Sequence, residues 1–250
     1  MEDPKYRFPR GLAAEVAWSA ALKRRRDFRR DARRCIEALD PPARVLGEEN
    51  IPQAGPCLLV MNHYYRPGFR VWWLSMAISA RLPMPHAWMI TSKWTAPGKW
   101  YEPVKEAYSS IVSRRLEAMY GFLRMPPMPP REKEVEERAA SVRAALRYME
   151  RTPQAVLCLA PEGHDILSGM LERPPAGVGR FIALLAAGGL PIFPAGGWEQ
   201  DGRLTVRFGE AFCLETGRGG GAEERDRRTT DAVMERIAAL LPDRMRGEFG

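Results

Sequence analysis

Apolar residues recur along this chain in two alternating rhythms. Near the N-terminus Phe28, Ala32, Cys35, Ile36 and Leu39 are spaced by three and four, and the pattern from about Gly11 to Leu39 predicts one long amphipathic helix, closed by Asp40-Pro41-Pro42. Beyond it, short apolar runs alternate with helical patterns. Cys57 to Met61 (CLLVM) is followed by a helix from about Gly68 to Ala80, with Val71, Leu74, Ile78 and Leu82 on one face. His86 to Thr91 precedes a helix within Trp100 to Ala118; Tyr120 to Arg124 precedes a charged helix from Arg131 to Met149. Ala155 to Ala160 (AVLCLA) carries the strongest strand pattern. The uncharged run from Phe181 to Trp198 contains four glycines and two prolines, so it reads as a buried helix stopped at Gly188 and Gly189 and a short strand, Pro191 to Ala195, rather than as a membrane span. Leu204 to Phe208 and Thr230 to Leu241 complete the series as a late strand and a C-terminal helix.

Strands apolar on both faces and interleaved with helices imply an α/β fold: a single domain with a mixed, largely parallel sheet flanked by helices. Residues 1–42 are expected as an N-terminal helical extension and 43–250 as the α/β domain. Pro126 to Pro130 and the tract Gly217 to Gly221 read as loops, since neither separates two self-sufficient cores. There is no internal repeat.

Composition narrows the chemistry. The chain has 250 residues, 45% apolar and 28% charged, which suits one substantial core. Four scattered cysteines without CxxC spacing and three histidines support neither a zinc site nor a disulfide scaffold, so no metal is expected and the thiols read as reduced. The charged N-terminus, MEDPKYRFPR, lacks the apolar core of a secretion signal. A net charge of +7 favours anionic partners, and Lys23 to Arg34 carries eight basic residues in twelve. That basic face reads either as a solvated surface or as a membrane-surface contact. No nucleic-acid-binding motif accompanies it.

In α/β sheets, ligands gather just beyond the carboxyl ends of strands. There the sequence places Asn62-His63, then Gly121-Phe122-Leu123-Arg124, then Pro161-Glu162-Gly163-His164-Asp165, then Pro191-Ile192-Phe193-Pro194. A neutral imidazole at His63 suits proton abstraction from an alcohol. The planar fork of Arg124 suits a phosphate or carboxylate, and Gly163 permits a tight turn with close approach of a ligand.

In this order the four blocks resemble the glycerophospholipid acyltransferase family, typified by 1-acylglycerol-3-phosphate O-acyltransferase. Val45 to Pro52 is similar to that family's lead-in and Arg207-Phe208-Gly209-Glu210 to its late strand and turn; the resemblance spans roughly residues 43 to 245. It implies transfer of a fatty acyl group from acyl-CoA or acyl carrier protein to a lysophospholipid or related lipid alcohol. His63 would be the general base, Asn62, Gly121, Arg124 and Gly163 would contact substrate, and no cofactor beyond the thioester co-substrate would be required. It further implies a cytoplasmic protein, peripheral on the inner face of an anionic membrane.

The first block departs from the family pattern. Gly68 stands where an aspartate would orient the histidine, and a glycine cannot do this; disabling such a partner in the serine-protease template lowers turnover about 10⁴-fold, or about 5 kcal/mol. No aspartate occurs between Asp40 and Asp165, so Asp165 and Glu162 are the two carboxylates expected to replace it. Two other readings stand beside the enzyme: an acyltransferase-fold protein repurposed to bind lipid or a partner, and a basic nucleic-acid-binding protein, which the four ordered blocks disfavour.

Overall fold

The computed structural model describes residues 6–96, 98–128, 131–215 and 220–250. The loops expected at 126–130 and 217–221 therefore lie partly outside the described residues.

Seven strands form one sheet in the order β1-β7-β6-β2-β5-β3-β4: β1 Arg44–Leu46, β2 Cys57–Met61, β3 Ala87–Thr91, β4 Leu123–Met125, β5 Val156–Leu159, β6 Ile192–Gln200 and β7 Arg203–Phe208. All neighbours are parallel except β6 and β7, which run antiparallel through a tight hairpin. The mixed, mostly parallel sheet is the one the alternating pattern implies. Since β2 is central, with β5 on one side and β6 on the other, the residues leaving β2 and β5 emerge side by side: Val60 pairs with Leu159, so Asn62 and His63 come level with Pro161 and Glu162.

Alternate residues of β2 feed two cores. Cys57, Leu59 and Met61 pack under α1 Arg10–Ala21, α2 Phe28–Glu37, α3 Trp72–Ser79 and the inner face of α4 Glu102–Tyr120. Leu58 and Val60 pack under α5 Val135–Arg151, α6 Val178–Leu185 and α7 Ala222–Ala238. All five residues of β2 are fully buried, which a strand with helices on both faces requires.

Four expectations are corrected. The single N-terminal helix is two, because Lys23 adopts a left-handed conformation (φ 53°) and Asp27 caps α2 by accepting a hydrogen bond from the Arg29 amide (2.9 Å). Leu12, Ala32, Cys35 and Ile36 of these two helices, and Leu39 just after them, are buried in the same core as the sheet. Helix α3 starts at Trp72 rather than Gly68, since Pro67 and Gly68 (φ 85°) form a turn ahead of it. Tyr120 belongs to α4, and β4 begins only at Leu123, after Gly121 caps that helix in the left-handed region (φ 74°). Finally β6 runs to Gln200, well past Ala195, and β1 was not foreseen.

Candidate active site

Asn62 is almost wholly buried, and both ends of its amide are used on one backbone unit. Its Nδ2 donates to the Gly197 carbonyl (2.9 Å) and its Oδ1 accepts from the Gly197 amide (2.7 Å). A side chain at Gly197 would collide with Leu74, so the glycine lets β6 approach α3 and Asn62 together. The sequence reading placed Asn62 on substrate; in the structure one donor and one acceptor of its amide are bonded to Gly197, which fixes where His63 begins.

Glu162 reaches across to the same spot. It is 1% exposed, and its Oε2 accepts from the His63 backbone amide (2.5 Å) while its Oε1 accepts from the Glu172 amide (3.1 Å). Burial pushes its carboxyl up to about 7, against the pull of these two amides, which favour the carboxylate. Glu162 thus holds the main chain at His63, not the imidazole.

The imidazole faces Asp165. His63 Nδ1 lies 3.6 Å from Asp165 Oδ1, is buried, and has no hydrogen-bond partner among the described residues. Burial lowers the His63 pKa to about 4; the Asp165 charge opposes that fall and the neighbouring His164 adds to it. The ring is therefore neutral at pH 7. Between the two sequence candidates for the missing carboxylate, Asp165 is the one at the ring. Gly68, where the family pattern has its aspartate, lies exposed in its turn, with a guanidinium nitrogen of Arg66 as the nearest neighbour of its would-be Cβ (3.4 Å).

Gly163 sits at φ 70° in the turn after Glu162, its amide bonded to the Ala160 carbonyl (3.2 Å), and a Cβ there would press on Met128 Cγ at 3.2 Å. The glycine is thus required by the turn and by the close approach of the loop leaving β4.

Gly121 and Arg124 are placed differently. Gly121 precedes β4 instead of leaving it, so it lies toward the amino edge of the sheet. Arg124 pairs in register with Ile90, three strands from β2, and its Nε donates to Glu117 of α4 (2.6 Å). The structure does not bring these two residues to His63.

Sequence reasoning overlooked two supports. Residues 164–172 fold over His63 as a strap: Ile166 and Leu171 are buried, and the Leu171 amide donates to the Met245 carbonyl (2.8 Å). The cavity left between His63, Glu162, Tyr65, Ile166 and Met170 is about 10 Å³. Glu199, at the end of β6, accepts from Tyr6 (2.8 Å), Tyr64 (3.1 Å) and the Arg66 guanidinium, tying the turn that carries Gly68 to the sheet. Its only sequence signal was an acidic residue at a strand end.

Among solved structures, the chain is similar to the 1-acyl-sn-glycerophosphate acyltransferase PlsC from Thermotoga maritima, at 13% identity and a TM-score of 0.49, covering 92% of this chain and 88% of that one. No curated protein sequence gives a match. The sequence profile of the Acyltransferase family matches residues 42–198, more than half of the chain and the stretch that builds β2, β5 and their exits, and the chain therefore belongs to the acyltransferase family.

Proposed function

We propose that the protein is an O-acyltransferase that moves a fatty acyl group from an acyl thioester, acyl-CoA or acyl carrier protein, to a lysophospholipid or related lipid alcohol, working peripherally on the inner face of a membrane. The observation that carries this reading is the neutral imidazole of His63, its Nδ1 buried and facing Asp165.

With the ring proton on Nδ1 toward Asp165, the Nε2 lone pair is free to accept the proton of an acceptor hydroxyl. The oxygen then attacks the thioester carbonyl, a tetrahedral adduct forms, and its collapse expels the thiolate, which takes the proton back from His63. Asp165 stabilises the imidazolium between these two transfers, the part a partner carboxylate plays in nucleophile activation generally. The 3.6 Å separation is longer than a hydrogen bond, but catalytic contacts in unliganded sites often tighten only when substrate is bound. No metal or cofactor enters these steps.

A specific observation favours the alternative, a fold retained for binding without turnover. The enclosed space beside His63 is about 10 Å³, roughly room for one water and far below the roughly 300–1,000 Å³ of ordinary ligand pockets. One experiment separates the two: the purified chain and His63→Ala are given labelled acyl-CoA or acyl carrier protein with a panel of lysolipids. Product formation that His63→Ala abolishes supports the enzyme. Turnover unchanged by the substitution, or absent with every donor, overturns it.

A further inference from the structure

Helix α4 is built inside out. Its buried positions include Ser109 and Ser113, whose hydroxyls serve the turn after β3: the Trp94 amide donates to Ser109 Oγ (2.8 Å), and Ser113 Oγ donates to the Ser92 carbonyl (2.6 Å). Its outward positions, spaced four, three and one as a single helical face demands, carry Val104 (70% exposed), Tyr108 (63%) and Ile111, with Ala107 between. Trp100, 90% exposed and edge-on to Tyr101, stands just ahead of the helix. A soluble surface helix normally shows the reverse order, and a contiguous apolar face of this length marks a contact surface.

Charge decides what the contact is. The acidic residues of α4 are drawn away from this face, Glu102 and Glu106 to Arg131 and Glu117 to Arg124. Lys99, Arg114 and Arg115 flank it, and none forms an ion pair among the described residues. An apolar stripe that carries exposed aromatic rings and is bordered by unpaired cations matches the edge of an anionic bilayer, where rings sit at headgroup depth and cations meet lipid phosphates. Because α4 follows β3 and returns to the parallel β4, its first turn lies at the carboxyl edge of the sheet, the edge from which His63 emerges. Leu167, 80% exposed on the strap over His63, faces solvent at that same edge.

We propose that the outer face of α4, with Trp100 and Tyr101, is the surface by which the protein sits on an anionic lipid bilayer, bringing the His63 edge to the lipid. The use of that position rests on the lipid acceptor proposed above; the docking itself does not.

The test uses the full chain with phosphatidylcholine vesicles, with and without phosphatidylglycerol, in a flotation assay. The charge-neutral triple variant Val104→Gln, Tyr108→Gln, Ile111→Gln removes the stripe at exposed positions, and Leu184→Gln, on the opposite helical layer, is the control. Expected are binding that requires phosphatidylglycerol, a loss of at least about tenfold in the triple variant from the apolar area withdrawn from lipid, and none in the control. Transfer to a short-chain, monomeric lysophospholipid should be unchanged in the triple variant. If no acceptor is acylated yet the variant still loses vesicle binding, the docking surface stands and the enzymatic reading falls. Wild-type protein that ignores anionic vesicles, or a triple variant that binds them equally well, overturns the proposal. So does a wild-type dimer that the triple variant converts to monomer, which would assign the stripe to a second copy of the chain.

Discussion

The exits of β2 and β5 carry two of the family's blocks and the region of β4 a third, in the same sheet, yet the two regions are built on different terms. At the centre, two buried polar side chains hold backbone: Asn62 is bonded to Gly197, and Glu162 to the amides of His63 and Glu172. His63 Nδ1 is buried without a hydrogen bond among the described residues, and it faces Asp165. At β4, Arg124 pairs with Glu117, seven residues back on the helix that precedes it, and both side chains are partly exposed. The difference teaches that order in sequence is not convergence in space. A strand next to the switch point delivers its exit to the site, while an outer strand can carry a similar motif and spend it locally.

The largest test of the central region is His63→Ala. It should lower transfer by at least about 10³-fold, within the range that general bases contribute, while leaving the fold intact. It should also change how stability responds to acid. His63 is held neutral with a folded pKa of about 4, below its ordinary 6.5, so its contribution to stability is full above pH 6.5 and is lost as pH falls toward 4. Thermal unfolding of the variant across that window should therefore lack this part of the decline; identical acid profiles would mean the imidazole is not buried as described.

Next in size is Glu162→Ala. It leaves two backbone amides without acceptors and opens a buried space, costing about 3 kcal/mol or more by denaturant unfolding. Because Glu162 sets the main chain at His63, transfer should fall with it. A variant of wild-type stability would break the claim that the centre is held by this carboxylate.

How much of this was legible beforehand follows the same division. The layering and the parallel sheet were readable because strands buried on both faces must be apolar throughout, as CLLVM and AVLCLA are. Breaks were not: the interruption between α1 and α2 rests on Asp27 capping within a run whose basic residues drew attention to charge. At the site, the histidine and both carboxylates were identifiable by type and position. Their division of labour was not, since Glu162 and Asp165 are three residues apart and only the turn at Gly163 decides that one faces backbone and the other the ring. The anchoring of Asn62 to Gly197 was not legible either, because nothing local reveals a partner 135 residues away.

A smaller effect is expected from Asp165→Asn, since the carboxylate is half exposed and stands 3.6 Å from the ring. Solvent screens such a pair, so the loss in kcat should be about tenfold rather than the far larger penalty of a buried partner. The pH profile gives the sign. Asp165 raises the His63 pKa, and the base works deprotonated, so removing the charge should move the acid limb of kcat/KM to lower pH. A limb that stays put while kcat falls would make Asp165 a fixture of the strap rather than the partner of His63.

The smallest effect, and the sharpest contrast, belongs to Arg124→Ala. Its partner Glu117 is partly exposed, and such pairs contribute about 1 kcal/mol or less, so unfolding should barely move. Standing three strands from β2 with its Nε on Glu117, Arg124 should also leave KM for a phosphate-bearing acceptor within about threefold, far below the tenfold that roughly 1.4 kcal/mol of lost binding would produce. A larger rise, seen with phosphate-bearing acceptors and not with neutral ones, would mean that substrate draws the guanidinium off Glu117. The site would then extend along the carboxyl edge from β2 to β4, and the distinction between a converged centre and a locally spent outer strand would hold only for the empty protein.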